Sequence, residues 1–139
     1  MNRIRYRGFT LIELLVVLAI LGLMAGIVGP QVIQYLGESK TKTARLQIEE
    51  FGSALDLFLL DVGRYPSTDE GLDALVDAPP GATRWHGPYL KKNRVPRDPW
   101  GYSFHYRYPG EHGAYDLYTL GADNRPGGED ENQDVSSWD

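Results

Sequence analysis

The sequence predicts an α+β fold: one long N-terminal α-helix, half suited to a membrane and half amphipathic, packed on a small antiparallel β-sheet head. Three observations predict it. Residues Phe9–Gly29 form an apolar run in which Glu13 is the only charged side chain. Beyond it, Ile48, Phe51, Leu55, Phe58, Leu59 and Val62 recur at helical spacing. Further on, Tyr102–Tyr108 and Ala114–Leu120 alternate with the period of two that marks strands. A chain of 139 residues has room for one modest core around these elements.

The apolar run of 21 residues reaches about 31 Å as a helix, enough to cross a bilayer hydrocarbon core. Arg3, Arg5 and Arg7 precede it with no acid among residues 1–8, which keeps that end cytoplasmic and places the body outside. A cleavable secretory signal would need an uninterrupted apolar core and a small-x-small site. Glu13 interrupts the run and Met24-Ala25-Gly26 offers no such site. A carboxylate within a membrane helix costs about 2.5–3.5 kcal/mol, so Glu13 calls for a partner. The amine freed by a cut between Gly8 and Phe9 would lie one turn away, on the same chain or on a neighbouring copy. Snorkelling or protonation of Glu13 answers the same cost, and physics alone does not choose between them.

Pro30 has no N–H to donate, which predicts a kink or a local opening of the helix there. Gly22, Gly26 and Gly29 precede it, small residues that let helices approach closely in lipid. The amphipathic stripe then continues to Val62, where Gly63 is a stop signal, for about 80 Å of helix from Phe9.

In the head, Ser67-Thr68-Asp69-Glu70 predicts the start of a short second helix capped by Ser67 or Thr68. Leu72, Leu75 and Val76 would form its apolar face and Pro79-Pro80 its end. Gly81–Pro99 reads as a loop, made basic by Lys91, Lys92, Arg94 and Arg97 beside Trp85, Tyr89 and Trp100. The chain carries 14 Lys+Arg against 19 Asp+Glu. Three of those bases lie in the first eight residues, so the body is more acidic than the total of −5. That balance argues for a solvated loop facing acidic neighbours and against nucleic acid. Asp98-Pro99-Trp100-Gly101 predicts a turn into the first strand, and Pro109–Gly113 a hairpin loop. In the second strand Tyr115, Leu117 and Thr119 oppose Asp116 and Tyr118. Two such strands are stable only when packed across the Ile48–Val62 face.

Catalytic chemistry finds no constellation. The chain has no cysteine, which excludes disulfides, thiol catalysis and Cys-ligated metals. His86, His105 and His112 lack metal-pair spacing, and no phosphate-binding glycine loop or nucleophile elbow is present. The last stretch, Asp123–Asp139, holds six acids and Arg125 as its only base. Composition alone favours a disordered acidic tail. A start directly from a strand and the apolar cost of leaving Trp138 in water oppose that. Carboxylates gathered in a Gly-rich loop suit calcium, which accepts six to eight oxygens including backbone carbonyls. The spacing of an EF-hand is missing.

Arg7-Gly8-Phe9-Thr10-Leu11-Ile12-Glu13-Leu14-Leu15-Val16 resembles the class III signal of type IV pilins and pseudopilins. Five more motifs are similar to the major pseudopilins of type II secretion systems, the GspG class. They are Gly87-Pro88-Tyr89-Leu90, Asp98-Pro99-Trp100-Gly101, Tyr115-Asp116-Leu117, Leu120-Gly121-Ala122-Asp123 and Gly127-Gly128-Glu129-Asp130. The resemblance implies a type IV pilin-like fold with a leader at 1–8, a transmembrane and assembly helix at 9–29, an amphipathic continuation at 30–62 and a periplasmic head at 63–139. It implies cleavage between Gly8 and Phe9 by a prepilin peptidase, N-methylation of Phe9, and a Glu13 that neutralises the amine of an adjacent subunit. It also implies a calcium site in loop 120–136. The Leu120 carbonyl, Asp123 and Asp130 would hold the ion, with Asp134 and carbonyls around Val135–Ser136 as additions, in place of the disulfide that staples many type IV pilins.

As a function, the resemblance implies a non-enzymatic subunit, single-pass in the inner membrane and bathed in its lipid. It would polymerise with itself into a periplasmic pseudopilus that supports export of folded proteins across the outer membrane. Minor pseudopilins, an inner-membrane assembly platform and its ATPase would be the partners. A type IV pilin for motility, adhesion or DNA uptake is the alternative within the superfamily. A signal-anchored periplasmic binding module that never polymerises is the alternative outside it.

Overall fold

The computed structural model describes residues 7–139; Met1–Tyr6, with Arg3 and Arg5 of the expected leader, lie outside the described residues. Helix α1 spans Leu11–Val62, and the chain divides into two compact units between Leu36 and Gly37. Both expected halves of the helix are present in this one element. α1 runs without a break through Pro30, so the local opening that was one expectation there is absent. One missing N–H does not end a helix whose turns on either side are complete.

In the first unit the apolar side chains from Leu11 to Leu36 are exposed, and the stretch is long and apolar enough to cross a membrane. An all-round apolar helix with no partner in its own chain is what a lipid or a neighbouring helix would cover.

The second unit has its own core. Phe51, Leu55 and Phe58 of α1 are fully buried against Leu75, Leu117 and Val135. Phe51 meets Phe104 edge to face at 5.1 Å, and Phe58 meets Tyr89 at 5.9 Å. Strands β1 (His105–Arg107), β2 (Asp116–Thr119) and β3 (Val135–Ser136) form an antiparallel sheet in the order β1-β2-β3. Tyr106 faces Leu117 across β1 and β2, and Thr119 faces Val135 across β2 and β3.

The head departs from expectation in four places, each for a local reason. The second helix is a single 3₁₀ turn, Leu72–Leu75. Its N-cap is Gly71, at φ 60 and with no side-chain cap, and not Ser67 or Thr68 as expected. Ser67 and Glu70 instead close the preceding turn on each other: Ser67 N–H donates to Glu70 Oε2 at 2.8 Å, and Glu70 N–H donates to Ser67 Oγ at 3.2 Å. β1 is shorter than Tyr102–Tyr108 because Asp98 Oδ1 takes the N–H groups of Trp100 and Tyr102, closing residues 98–102 into a turn. Asp116, expected on the polar face, is buried, accepting from Glu111 N–H, His112 N–H and the His112 ring. β3 was not expected at all, being too short to show a period.

Arg64 forks onto Glu70 with bonds of 2.7 and 2.8 Å. That guanidinium, with the Ser67 donors, holds the Glu70 carboxyl at about 2, against an ordinary 4.5. A lowered carboxylate stabilises the fold above its unfolded value, and the effect fades as pH falls toward the folded one. The pair is partly exposed, so Arg64→Gln should lower the Tm of the head at pH 7 by only a few degrees, about 1 kcal/mol. The gap between variant and parent should close as the melt is repeated between pH 4.5 and 2; a gap that persists at pH 2 contradicts the pairing.

Candidate functional site

Two places gather the chemistry, one in each unit. At the N-terminal end, Gly8 and Phe9 precede α1 in non-helical, exposed chain, with Phe9 89% accessible. A scissile bond there needs no unwinding of the helix. Glu13 is the third residue of α1, and its Oε2 accepts the Thr10 N–H at 3.0 Å while Thr10 Oγ1 accepts the Glu13 N–H at 3.2 Å. This is a capping box, two free helix-end donors satisfied reciprocally. Thr10 is the functional residue that sequence reasoning passed over, although Thr-x-x-Glu before an apolar run is its signal. A carboxylate has about four acceptor positions, so capping leaves Glu13 able to receive a further cation. Gly22, Gly26 and Gly29 have nothing within 4 Å of an added Cβ. No packing inside the chain requires them to be small, which points to a close neighbour outside it.

The second place is the chain after β2. Gly121, at φ 70, passes so close to the returning strand that a Cβ would meet the Asn132 carbonyl carbon at 2.7 Å. Ala122 N–H donates to the Glu131 carbonyl at 2.8 Å. Leu120–Asp123 and Glu131–Asp134 are therefore held side by side, with a 3₁₀ turn, Asp130–Asn132, between the tip and the return. Glu131 folds onto α1 at buried Gly37, where a Cβ would meet its Cγ at 2.3 Å. The Glu131 side chain thus rests in the space that Gly37 leaves on the helix.

Within this loop the four expected metal residues differ. Asp123 is exposed and its Oδ1 accepts Arg125 N–H at 3.1 Å. Asp130 is exposed, at φ 53, and heads the 3₁₀ turn. Leu120 is half-buried at the end of β2. Asp134 Oδ2 accepts Gly127 N–H at 2.9 Å, while its Oδ1 is buried with no donor. Ser136 Oγ is buried and equally without a partner. An unpaired buried carboxylate oxygen is costly unless a cation or donor meets it. Among the described residues, no three His, Asp or Glu side chains converge as a metal cluster. A cation here would need backbone carbonyls beside Asp134, a donor set that fits calcium and not zinc.

Residues 31–138 match the family described as type II secretion system (T2SS), protein G, and residues 3–29 match the prokaryotic N-terminal methylation motif. The chain is 45% identical to the type II secretion system core protein G of Pseudomonas aeruginosa, over 100% of this chain and 99% of that protein. It is 41% identical to the protein of the same name from Vibrio cholerae, over 94% of this chain and 90% of that one. The crystal structure of the major pseudopilin from the type 2 secretion system of enterohaemorrhagic Escherichia coli matches with a TM-score of 0.65 at 30% identity, covering 78% of this chain and 95% of that one.

Proposed function

Because the chain belongs to the protein G family of the type II secretion system, we propose that it works by leaving the membrane along α1 and stacking that helix on copies of itself. It is a structural subunit of the pseudopilus. The observation that carries the reading is the first half of α1, apolar on all sides, with glycines that pack on nothing within the chain and one acid, Glu13, at its entrance. Such a helix is stable alone only in lipid, and a bundle of copies satisfies it equally well.

A prepilin peptidase cuts between Gly8 and Phe9, and the new Phe9 amine is methylated. The subunit then waits single-pass in the inner membrane, its head in the periplasm, until the assembly platform and its ATPase add it to a filament begun with minor pseudopilins. Glu13 receives the Phe9 amine of the neighbour, a cation matching its charge where lipid would otherwise penalise it. Intact-mass analysis of the chain sheared from the host's cell envelope tests the first step. The expected species lacks residues 1–8 and carries one methyl on Phe9; a chain that retains Met1–Gly8 contradicts it and leaves an anchored binding module.

The C-terminal loop takes calcium through the Leu120 carbonyl, Asp123 and Asp134, with carbonyls near Val135–Ser136. Asp123 and Asp130, both exposed, contribute less than Asp134. The buried, donor-free Oδ1 of Asp134 supports that ranking. Bound calcium supplies a cross-link between the two ends of a Gly-rich loop, the part a disulfide plays elsewhere.

A further inference from the structure

Three glycines from three parts of the chain close on the 3₁₀ turn Asp130–Asn132. A Cβ at Gly121 would meet the Asn132 carbonyl carbon at 2.7 Å and the Glu131 carbonyl oxygen at 2.8 Å. One at Gly128 would meet the Asn132 carbonyl oxygen at 2.5 Å. One at Gly37 would fall on Glu131 Cγ and lie 2.9 Å from its Cδ. The first two approaches come from within the loop, and the third comes from α1. Gly37 differs in this from Gly22, Gly26 and Gly29, where a Cβ would meet nothing within 4 Å. Glycine weakens a helix interior, and at buried Gly37 it makes room for one side chain of the loop. Glu131 is thus held at two points, because its carbonyl also accepts the Ala122 N–H at 2.8 Å. Among the described residues its carboxylate joins no ion pair, so the stem and not the charge makes the seat. Asp130 precedes Glu131 directly, and Asp134 follows three residues on.

We propose that Glu131 is a positioning residue of the calcium loop, seated by its stem in the space at Gly37, so that α1 helps to set the affinity of the site. The inference rests on the calcium reading above and names a control of that site by a residue outside the loop. Asp134, with its buried and donor-free Oδ1, is delivered by the backbone that leaves this turn. The turn is fixed by Ala122 on one side and by α1 on the other. With Glu131 out of its seat, the hold of α1 is lost and Asp134 is no longer kept opposite Leu120–Asp123. Calcium bound by several oxygens loses affinity when the groups behind its ligands are displaced. Coupling of this kind is reciprocal, so calcium that orders the loop also steadies α1 around Gly37.

The test titrates calcium chloride into the full chain in detergent micelles and measures Kd by calorimetry. Glu131→Ala and Gly37→Ala should each raise the Kd roughly tenfold, the scale on which residues behind metal ligands act. Glu131→Gln, which keeps the stem, should restore the parental Kd. The double variant should bind no more weakly than either single one, since both substitutions break one contact. Alanine is the better helix former, so a role in helix stability alone would leave the Kd of Gly37→Ala unchanged. Hydrogen exchange at residues 37–41 reads the reciprocal effect: saturating calcium should slow it in the parent and not in Glu131→Ala. No slowing in the parent, or equal slowing in both, contradicts the coupling. Parental affinity in Glu131→Ala, or an additive loss in the double variant, overturns the positioning role and leaves the calcium site standing. A loss in Glu131→Gln as large as in Glu131→Ala makes the carboxylate itself a ligand and overturns the role as well. Where Gly37→Ala does not fold, the two Glu131 variants decide alone. A parent that takes up no calcium overturns the calcium reading and this inference with it.

Discussion

Glu13→Ala leaves the chain cut after Gly8 and inserted in the membrane, but reduces filaments roughly a hundredfold. The proposed cut between Gly8 and Phe9 lies in the non-helical chain before α1, four residues from the side chain removed, so it has no need of the carboxylate. Losing the capping box with Thr10 costs about 1 kcal/mol, little for a helix of 52 residues. The larger effect is on where the helix prefers to be. A carboxylate costs about 2.5–3.5 kcal/mol in lipid and is relieved by a neighbour's amine. Alanine removes both the penalty of waiting in the membrane and the reward of leaving it. About 3 kcal/mol corresponds to roughly a hundredfold in an equilibrium. Glu13→Gln separates the two roles, since its amide oxygen still caps Thr10 N–H but carries no charge. It should fail to assemble as Glu13→Ala does. Filaments counted by electron microscopy decide it, and normal filaments from either variant contradict the assigned role.

A chelator should lower the Tm of the soluble head from Gly37 onward by roughly 10–20 °C when calcium has been present at about one hundred times its Kd. Ligand at that excess stabilises the native state by about 2.7 kcal/mol, and a domain of this size shifts by about 4–8 °C per kcal/mol. Asp134→Ala should abolish the chelator-dependent shift, and Asp130→Ala should retain most of it. The shift is the proper readout, because Asp134→Ala also loses the bond from Gly127 N–H and lowers the Tm by itself. A melt indifferent to chelator removes the calcium site. A shift lost in Asp130→Ala and kept in Asp134→Ala reverses the ranking of the two acids.

The parts of the fold that were legible in advance are those written as long periods. The apolar run from Phe9 and the stripe from Ile48 to Val62 extend over many turns, so neither Pro30 nor the glycines obscured one continuous helix. Leu117 and Thr119, read on one face of the second strand, are both buried. What was not legible depends on contacts between residues distant in the chain or on one backbone angle. Ser67 and Glu70 bond each other as a capping pair would, but the positive φ of Gly71 separates them from the 3₁₀ turn at Leu72–Leu75, which they do not cap. Asp116 reads as a surface residue, and it is buried because the hairpin loop returns two backbone donors to it. Two residues of β3 have no pattern of their own; they pair because Leu117 and Thr119 are already fixed by the core. The seating of Glu131 on Gly37 joins positions 94 residues apart and has no sequence signal at all. In the candidate sites, Glu13 stood out as a lone charge in an apolar run, whereas the buried oxygen of Asp134 emerges only once Gly121 has brought the two loop strands together.

The most direct measurement is deletion of the gene in its host, with the activity of secreted enzymes assayed in medium and periplasm. A pseudopilus that lacks its structural subunit should strand folded enzymes in the periplasm, and a plasmid copy of the gene should return them to the medium. Export that continues at the parental rate after the deletion, with no second copy of the gene present, contradicts the account.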